Sequence, residues 1–340
     1  MTLRLRGSDS DDLDTAVELL RAGGVVAFPT ETVYGLGADG LAAEAVARIF
    51  EAKGRPADNP LILHVGSFAA ARALWRTDAG RLALAHELAE AFWPGPLTLV
   101  LPSAPGVPAL VTAGQDTVAV RMPDHPVALD LLARFGGPLA APSANRSGRP
   151  SPTTAAHVLA TLDGRIDAVV DGGPTRVGVE STVLALDGER PRLLRPGSIT
   201  AEQLRVHLPT LDDGAPSETD LARSPGLRHR HYAPAGVALE LVDGAALEDA
   251  WPQAVTLLCR ASTAARLEAQ AGARAASTEV LPDDPAGFAR ALYAALHRLE
   301  GARAERALIE APPPGEAWAA VRDRLQRAAQ SGAVRSGDDP

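Results

Sequence analysis

Apolar and polar positions change over along this chain in short blocks, and the length of each block separates strand from helix. "VVAF" at 25–28, "LILHV" at 61–65, "LTLVL" at 97–101, "VAVRM" at 118–122, "PLAAP" at 138–142 and "AVVD" at 168–171 are brief apolar runs. Turn-forming residues bound them, as they bound buried strands. "STVLAL" and "RLLR" close the series. Apolar residues at helical spacing predict helices over 9–21, 41–52, 81–91, 126–135, 153–161 and 200–208. Strands and helices alternate without strict order, which predicts a mixed α/β sheet.

The rhythm changes after residue 208. "PTLDDGAPSETDLARSPGLRHRHYAPAG" is rich in Pro, Gly, Asp and Ser and reads as a linker. It ends in a dense set of donors, Arg228, His229, Arg230, His231 and Tyr232, and long loops of such content act as lids. Beyond it "VALELV", "AVTLLCR", "STEVL" and "RALIEA" predict strands, with helices over 263–271, 285–299 and 316–329. That is a smaller open α/β sheet, Rossmann-like in build but without a glycine fingerprint. The reading is thus a first domain over 9–208, a linker and lid over 209–236, a second domain over 237–330, and a disordered tail, "SGAVRSGDDP".

Composition narrows the class of function. A chain of 340 residues is long enough for two cores, and its 46% hydrophobic content is ordinary for a globular protein. Thirty-three basic residues against 42 acidic give a net charge of −9. No stable nucleic-acid binding through phosphates is expected of that balance; a local basic pocket for a small anion fits it better. Cys259 is the only cysteine, so no internal disulfide or Cys-based metal site is available. The start of the chain lacks a signal-peptide core, and no apolar run approaches the ~20 residues of a membrane helix, so a cytoplasmic protein without membrane contact is expected.

Candidate chemistry enters with "KGRPADNP". Lys53 is the only lysine, and Asn59 and Asn145 are the only asparagines. Heavy Arg, Ala, Gly and Pro use explains their scarcity but not the clustering of the survivors. Other polar residues stand at strand ends: Thr30 to Thr32, His64, Thr117, Arg121, Ser143 to Ser151, Glu180 to Thr182, and Arg195. In open α/β sheets ligands sit there. If Lys53, Arg55, Arg121, Arg146, Arg149 and Arg195 converge on one groove, their repulsion calls for a highly charged anion such as a triphosphate, with a carboxylate as an additional guest. Plainer readings stand beside these. "PTETVYGLG" also suits a strand–helix turn, "KGRPADNP" a helix stop, "SANRSGRPSPT" a surface loop, and His64 a satisfied core histidine. No nucleophile elbow, Walker lysine loop or zinc-type His–Glu spacing is present. The residues alone reach an α/β pocket for a polyanion, with a nucleotide foremost.

In order, "PTETVYGLG", "KGRPADNPL", "WPGPLTLVL", "VAVRMPDHP", "APSANRSGRPSPT", "GVESTVL" and "LLRPGS" resemble the threonylcarbamoyl-AMP synthase family. "SPGLRHRHYAP" followed by an α/β domain resembles its two-domain form. The resemblance implies a YrdC-like mixed twisted sheet domain over 9–208 and a smaller Rossmann-like domain after the lid. It also implies a reaction of L-threonine, bicarbonate and ATP, with Mg2+ accompanying ATP, to threonylcarbamoyl-AMP and pyrophosphate. A partner transferase would then modify adenosine next to the anticodon of tRNA. The implied threonine-binding residues are Thr32, His64, Arg121, Ala141 and Ser181. Those implied for ATP are Arg55, Asn59, Thr117, Ser143, Asn145, Ser151, Arg195 and Tyr232. Lys53 and Arg55 would act on the phosphates and the carboxylate nucleophile, since a compact ammonium reaches a phosphate as a point charge. Two other readings compete: a carbamoyl-adenylate former using carbamoyl phosphate, whose usual extra domains are missing, and a non-catalytic RNA-binding module, which the acidic charge and 4% aromatic content disfavour.

Overall fold

The computed structural model describes residues 1–215, 217–224, 232–243, 247, 256–271 and 277–330. Residues 225–231 of the lid stretch, including Arg228, His229, Arg230 and His231, and the tail 331–340 lie outside the described residues. The chain divides into two compact units, Met1–Ser147 with Ser151–His229, and Gly148–Pro150 with Arg230–Pro340.

The first unit is built on a mixed sheet of β1 (Leu3–Arg6), β2 (Val26–Phe28), β3 (Gly35–Asp39), β4 (Ile62–His64), β5 (Leu97–Pro102), β6 (Thr117–Arg121), β7 (Leu139–Ala140), β8 (Ala168–Asp171), β9 (Thr182–Ala185) and β10 (Arg192–Arg195). The spatial order is β1-β8-β2-β3-β7-β4-β6-β5-β9-β10. Parallel pairs such as β4–β6 and β5–β9 alternate with antiparallel ones such as β5–β6 and β9–β10. Two of these strands escape the pattern reading. β1 precedes residue 9, and β3 looks like a glycine-rich loop. Gly37 is required there by close packing, because a Cβ would lie 2.6 Å from the Phe28 ring.

Helices cover both faces. They are α1 (Ser10–Arg21), α2 (Ala43–Lys53), α3 (Phe68–Ala73), α4 (Ala79–Phe92), α5 (Ala109–Thr112), α6 (Pro126–Phe135), α7 (Ala155–Leu162), α8 (Ala201–Arg205) and α9 (Glu218–Arg223). Leu13, Val17 and Leu20 of α1 pack with Leu131 and Leu132 of α6 against Val26, Phe28, Leu139 and Ala141. Val46 and Ile49 of α2 and Leu88 of α4 join Leu36, Leu63, Leu99 and Val120 in the larger core. Each such side chain contributes roughly 1.5–3 kcal/mol by leaving water. Local chemistry sets the helix ends. The Asp9 carboxylate caps α1, and α2 stops after Lys53 because Gly54 takes the left-handed conformation at φ 60°. Helix α9 lies within the stretch that composition marks as linker, and Ser217 and Asp220 form a reciprocal cap at its start.

The second unit holds β11 (Ala238–Val242), β12 (Thr256–Arg260), β13 (Ser277–Leu281) and β14 (Arg306–Glu310), ordered β11-β14-β12-β13 and paired in parallel throughout. It also carries α10 (Ala261–Ala271), α11 (Pro285–Gly301) and α12 (Ala319–Gln330). Leu257, Cys259, Leu267 and Leu308 share its core. Burial and the nearby Glu310 push the Cys259 thiol up to about 12, so it stays protonated and inert as a nucleophile. Among the described residues no helix is long and apolar enough to cross a membrane.

Candidate functional site

Strand register decides which polar residues meet. Side chains two apart share a face of a sheet. Arg121 pairs with His64, and Ala119 with Ile62, so Thr117, Ala119 and Arg121 lie on the face of Ile62 and His64. Carried across β7, β5 and β9, the same face includes Ala141, Thr98 and Ser181. The apolar members of this face, Ile62, Val100, Ala119, Val183 and Leu194, form a small cluster of their own. The polar residues therefore stand around an apolar floor.

At the His64 and Arg121 end the contacts are dense. Arg121 donates through Nη1 to the Thr32 hydroxyl at 3.0 Å and through Nε to the Gly95 carbonyl at 3.2 Å. Its Nη2 lies 2.6 Å from Glu31 Oε1. These contacts bring the loop after β2 onto the sheet face, where "PTETVYGLG" as a plain turn would have left it beyond the strand. Thr30 steadies that loop by donating to the Val33 carbonyl at 2.6 Å. Beside Arg121, the His64 imidazole is 3% exposed. Burial, then the Arg121 charge, lowers its pKa to about 3, so it is neutral at ordinary pH. Among the described residues its Nδ1 finds no hydrogen-bond partner. The Ser181 hydroxyl meets that of Thr98 at 2.8 Å, and Arg195 holds the Ser181 carbonyl through Nε and Nη2. The Ser151 hydroxyl donates to Glu180 at 2.5 Å.

A second group stands toward the opposite ends of β4 and β6. Arg55 donates to the Asn59 side-chain oxygen and the Pro60 carbonyl, both at 2.7 Å, and Asn59 is buried. Thr117 opens β6 at this level, and Ser143 pairs with Gly35 across the sheet. Lys53 Nζ donates to the carbonyls of Ser143 and Asn145. Burial first, and the charge of Arg55 second, lower the Lys53 pKa well below the usual lysine range. From Thr117 to Arg121 is four strand steps, about 13 Å. The candidate polar residues thus gather in two groups, one at each end of β4 and β6.

The six cations named from the sequence have different surroundings. Arg121 faces Glu31, Lys53 and Arg55 are bonded to carbonyl oxygens, and Arg146 is exposed. Arg149 pairs with Glu300 at 2.7 Å within the second unit. Tyr232 also belongs to the second unit, buried at φ 67° with its ring 5.6 Å from that of Tyr293 and under the Arg324 guanidinium. Sequence reasoning gave Glu31 no role, although it lies inside a quoted motif. A lone carboxylate between threonines carries no spacing signal, and only the fold sets it against Arg121.

Fold and site together define a two-unit α/β protein whose first unit carries buried polar residues at both ends of β4 and β6. Residues 18–197 match the family model covering Sua5, YciO and YrdC proteins, described as "Telomere recombination". Residues 199–330 match one described as "Threonylcarbamoyl-AMP synthase, C-terminal domain". The chain is 50% identical over 236 residues to a threonylcarbamoyl-AMP synthase of Pyrococcus abyssi, covering 67% of this chain and 67% of that protein. It is 52% identical over 222 residues to the Bacillus subtilis protein of the same name, covering 64% of this chain and 63% of that one. The crystal structure of P. abyssi Sua5 complexed with L-threonine superposes with a TM-score of 0.84 at 38% identity, covering 98% of both chains. The chain belongs to the Sua5 family of threonylcarbamoyl-AMP synthases.

Proposed function

We propose that this protein makes threonylcarbamoyl-AMP and pyrophosphate from L-threonine, bicarbonate and ATP, in the cytoplasm, for a transferase that modifies adenosine beside the anticodon of tRNA. The observation that carries the reading is the pair of polar groups at opposite ends of β4 and β6. His64, Arg121, Thr32 and Ser181 stand at one end, and Arg55, Asn59, Thr117 and Ser143 at the other. The first end would seat threonine, with Ala141 on the floor between. The second would seat the nucleotide, with Asn145, Ser151, Arg195 and Tyr232 as further ATP-binding candidates.

The chemistry needs little covalent help from the protein. The threonine nitrogen bonds to the carbon of bicarbonate as a C–O bond breaks and water leaves, or to carbon dioxide with loss of a proton from nitrogen; either route gives an N-carboxylate. A carboxylate oxygen then bonds to the α-phosphorus of ATP as the bond to the pyrophosphate oxygen breaks. Catalysis would be alignment of the two substrates and neutralisation of charge, with Lys53 and Arg55 facing the phosphates and the carboxylate. Neutral His64 fits a hydrogen-bonding role toward a hydroxyl or ammonium better than that of a counter-charge. Magnesium would enter on the nucleotide phosphates as part of the substrate. Among the described residues no group of three His, Cys, Asp or Glu side chains could hold a metal.

The deciding experiment is pyrophosphate release by the purified protein, with mass detection of the adenylate. Release that needs threonine and bicarbonate together supports the reading. ATP turnover indifferent to threonine, or dependent on carbamoyl phosphate, overturns it.

A further inference from the structure

Glu31 carries an observation that the residues considered above do not explain. Its side chain is only 2% exposed. The contact with Arg121 Nη2 is short, yet it does not lie along an N–H direction, and among the described residues neither carboxylate oxygen accepts a hydrogen bond. Arg121 Nη2 is likewise left without a hydrogen-bond acceptor, while Nη1 and Nε are spent on Thr32 and Gly95. A buried carboxylate without donors is costly, and natural structures retain one where a ligand or a mechanism uses it. Its backbone is fixed, because the Glu31 carbonyl accepts from the Val177 amide at 2.8 Å and that of Thr32 from Gly178 at 3.1 Å. Those bonds hold the loop in step with the segment leading to Ser181. Near Arg121 a second orphan stands, Nδ1 of His64. The uncommitted polar atoms at this end are thus two carboxylate oxygens, one imidazole nitrogen and one guanidinium nitrogen.

We propose that Glu31 is a substrate-binding and specificity residue, whose carboxylate accepts a hydrogen bond from a donor on the amino-acid substrate. The inference rests on the synthase reading and extends it. The Glu31–Arg121 pair makes this end of β4 and β6 close to neutral, so it favours a zwitterionic or hydroxylated guest over a second anion. The donor has two sources on such a guest, the ammonium and the β-hydroxyl. Both satisfy the same orphaned oxygens, and a site built to meet a donor discriminates strongly against an analogue lacking it.

The test is calorimetric binding to the full-length protein of L-threonine and of 2-aminobutyrate, which lacks only the hydroxyl. Wild type is compared with Glu31→Gln and Glu31→Asp, with ATP affinity and melting temperature measured alongside. Both variants are expected to weaken threonine binding about 10- to 100-fold, with ATP affinity unchanged. Glu31→Asp keeps the charge opposite Arg121 but withdraws the oxygens. A mere counter-charge role would leave its threonine affinity near wild type, and that result overturns the proposal. If 2-aminobutyrate binding falls as far as threonine binding in Glu31→Gln, the ammonium is the donor; if it hardly changes, the hydroxyl is. Threonine binding by both variants within twofold of wild type sinks the proposal and leaves the synthase reading standing. A wild-type protein that binds neither compound removes both.

Discussion

Lys53 Nζ donates to the Asn145 carbonyl at 2.6 Å, which ties the end of α2 to the loop that follows β7. The Ser143 carbonyl takes a second bond from the same ammonium, and the Ser147 amide donates back to the Lys53 carbonyl at 2.9 Å. The only lysine of the chain is therefore a clamp on that loop as well as a candidate for phosphate contact. A guanidinium is too broad and planar to take its place between two carbonyls at the end of a buried stem.

Replacing Lys53 by Ala is expected to lower both stability and turnover. Two carbonyls lose a buried donor, which costs about 1–3 kcal/mol. Loss of the ammonium should slow synthesis by a further ~2–4 kcal/mol of transition-state stabilisation. Thermal unfolding and threonine-dependent pyrophosphate release measure the two effects. Lys53→Arg should restore neither; wild-type melting and turnover in that variant would contradict the clamp.

His64 should make the protein acid-sensitive. Its folded pKa of about 3 lies below the unfolded value of 6.5. Between those limits the unfolded chain binds a proton that the folded chain does not, so stability falls as pH drops through the window. Going from pH 7.5 to 4.5, wild type should lose roughly 2–3 kcal/mol more than His64→Asn, which cannot titrate there. Parallel pH profiles of denaturant midpoints would show that His64 does not carry the effect.

Gly197 packs directly on the Ser181 segment. A Cβ there would lie 2.3 Å from the Thr182 nitrogen and 2.6 Å from the Ser181 carbonyl carbon, both backbone atoms that cannot swing aside. Gly197→Ala should push β9 and Ser181 out of register with Thr98 and cost about 1–3 kcal/mol. Threonine affinity should weaken with stability. A variant that binds threonine as wild type does would show that the segment tolerates the shift.

Glu310 anchors the second unit. It is 1% exposed and accepts from the Arg260 amide, the Arg260 guanidinium and the Thr263 hydroxyl, joining β14 to β12 and the start of α10. Glu310→Ala should leave these donors unmet and cost about 2–4 kcal/mol. Hydrogen exchange should rise in β12 and β14 ahead of the first-unit strands. Unchanged protection there would mean that the apolar core alone holds the sheet.

Much of this protein was legible in the chain. Runs such as 61–65 and 97–101 are strands because no other element buries so short an apolar block, and motif order pointed to the family. The glycine-rich β3 was not legible, because its pairing depends on a Phe28 ring pressed against Gly37. Nor was helix α9, whose short span is fixed by its cap more than by any apolar stripe. Among the candidate residues, Arg121 could be singled out as a cation but its partner Glu31 could not. Periodicity records which way a side chain faces on its own strand and says nothing of which distant loop meets it. Sequence by itself determined the elements, the acidic balance and the set of polar residues, since these depend on local pattern and composition. Tertiary structure decided that the set divides between the two ends of β4 and β6, that Arg121 meets Glu31, and that Lys53 and Arg55 bond carbonyl oxygens, because register and burial arise only when distant strands pair.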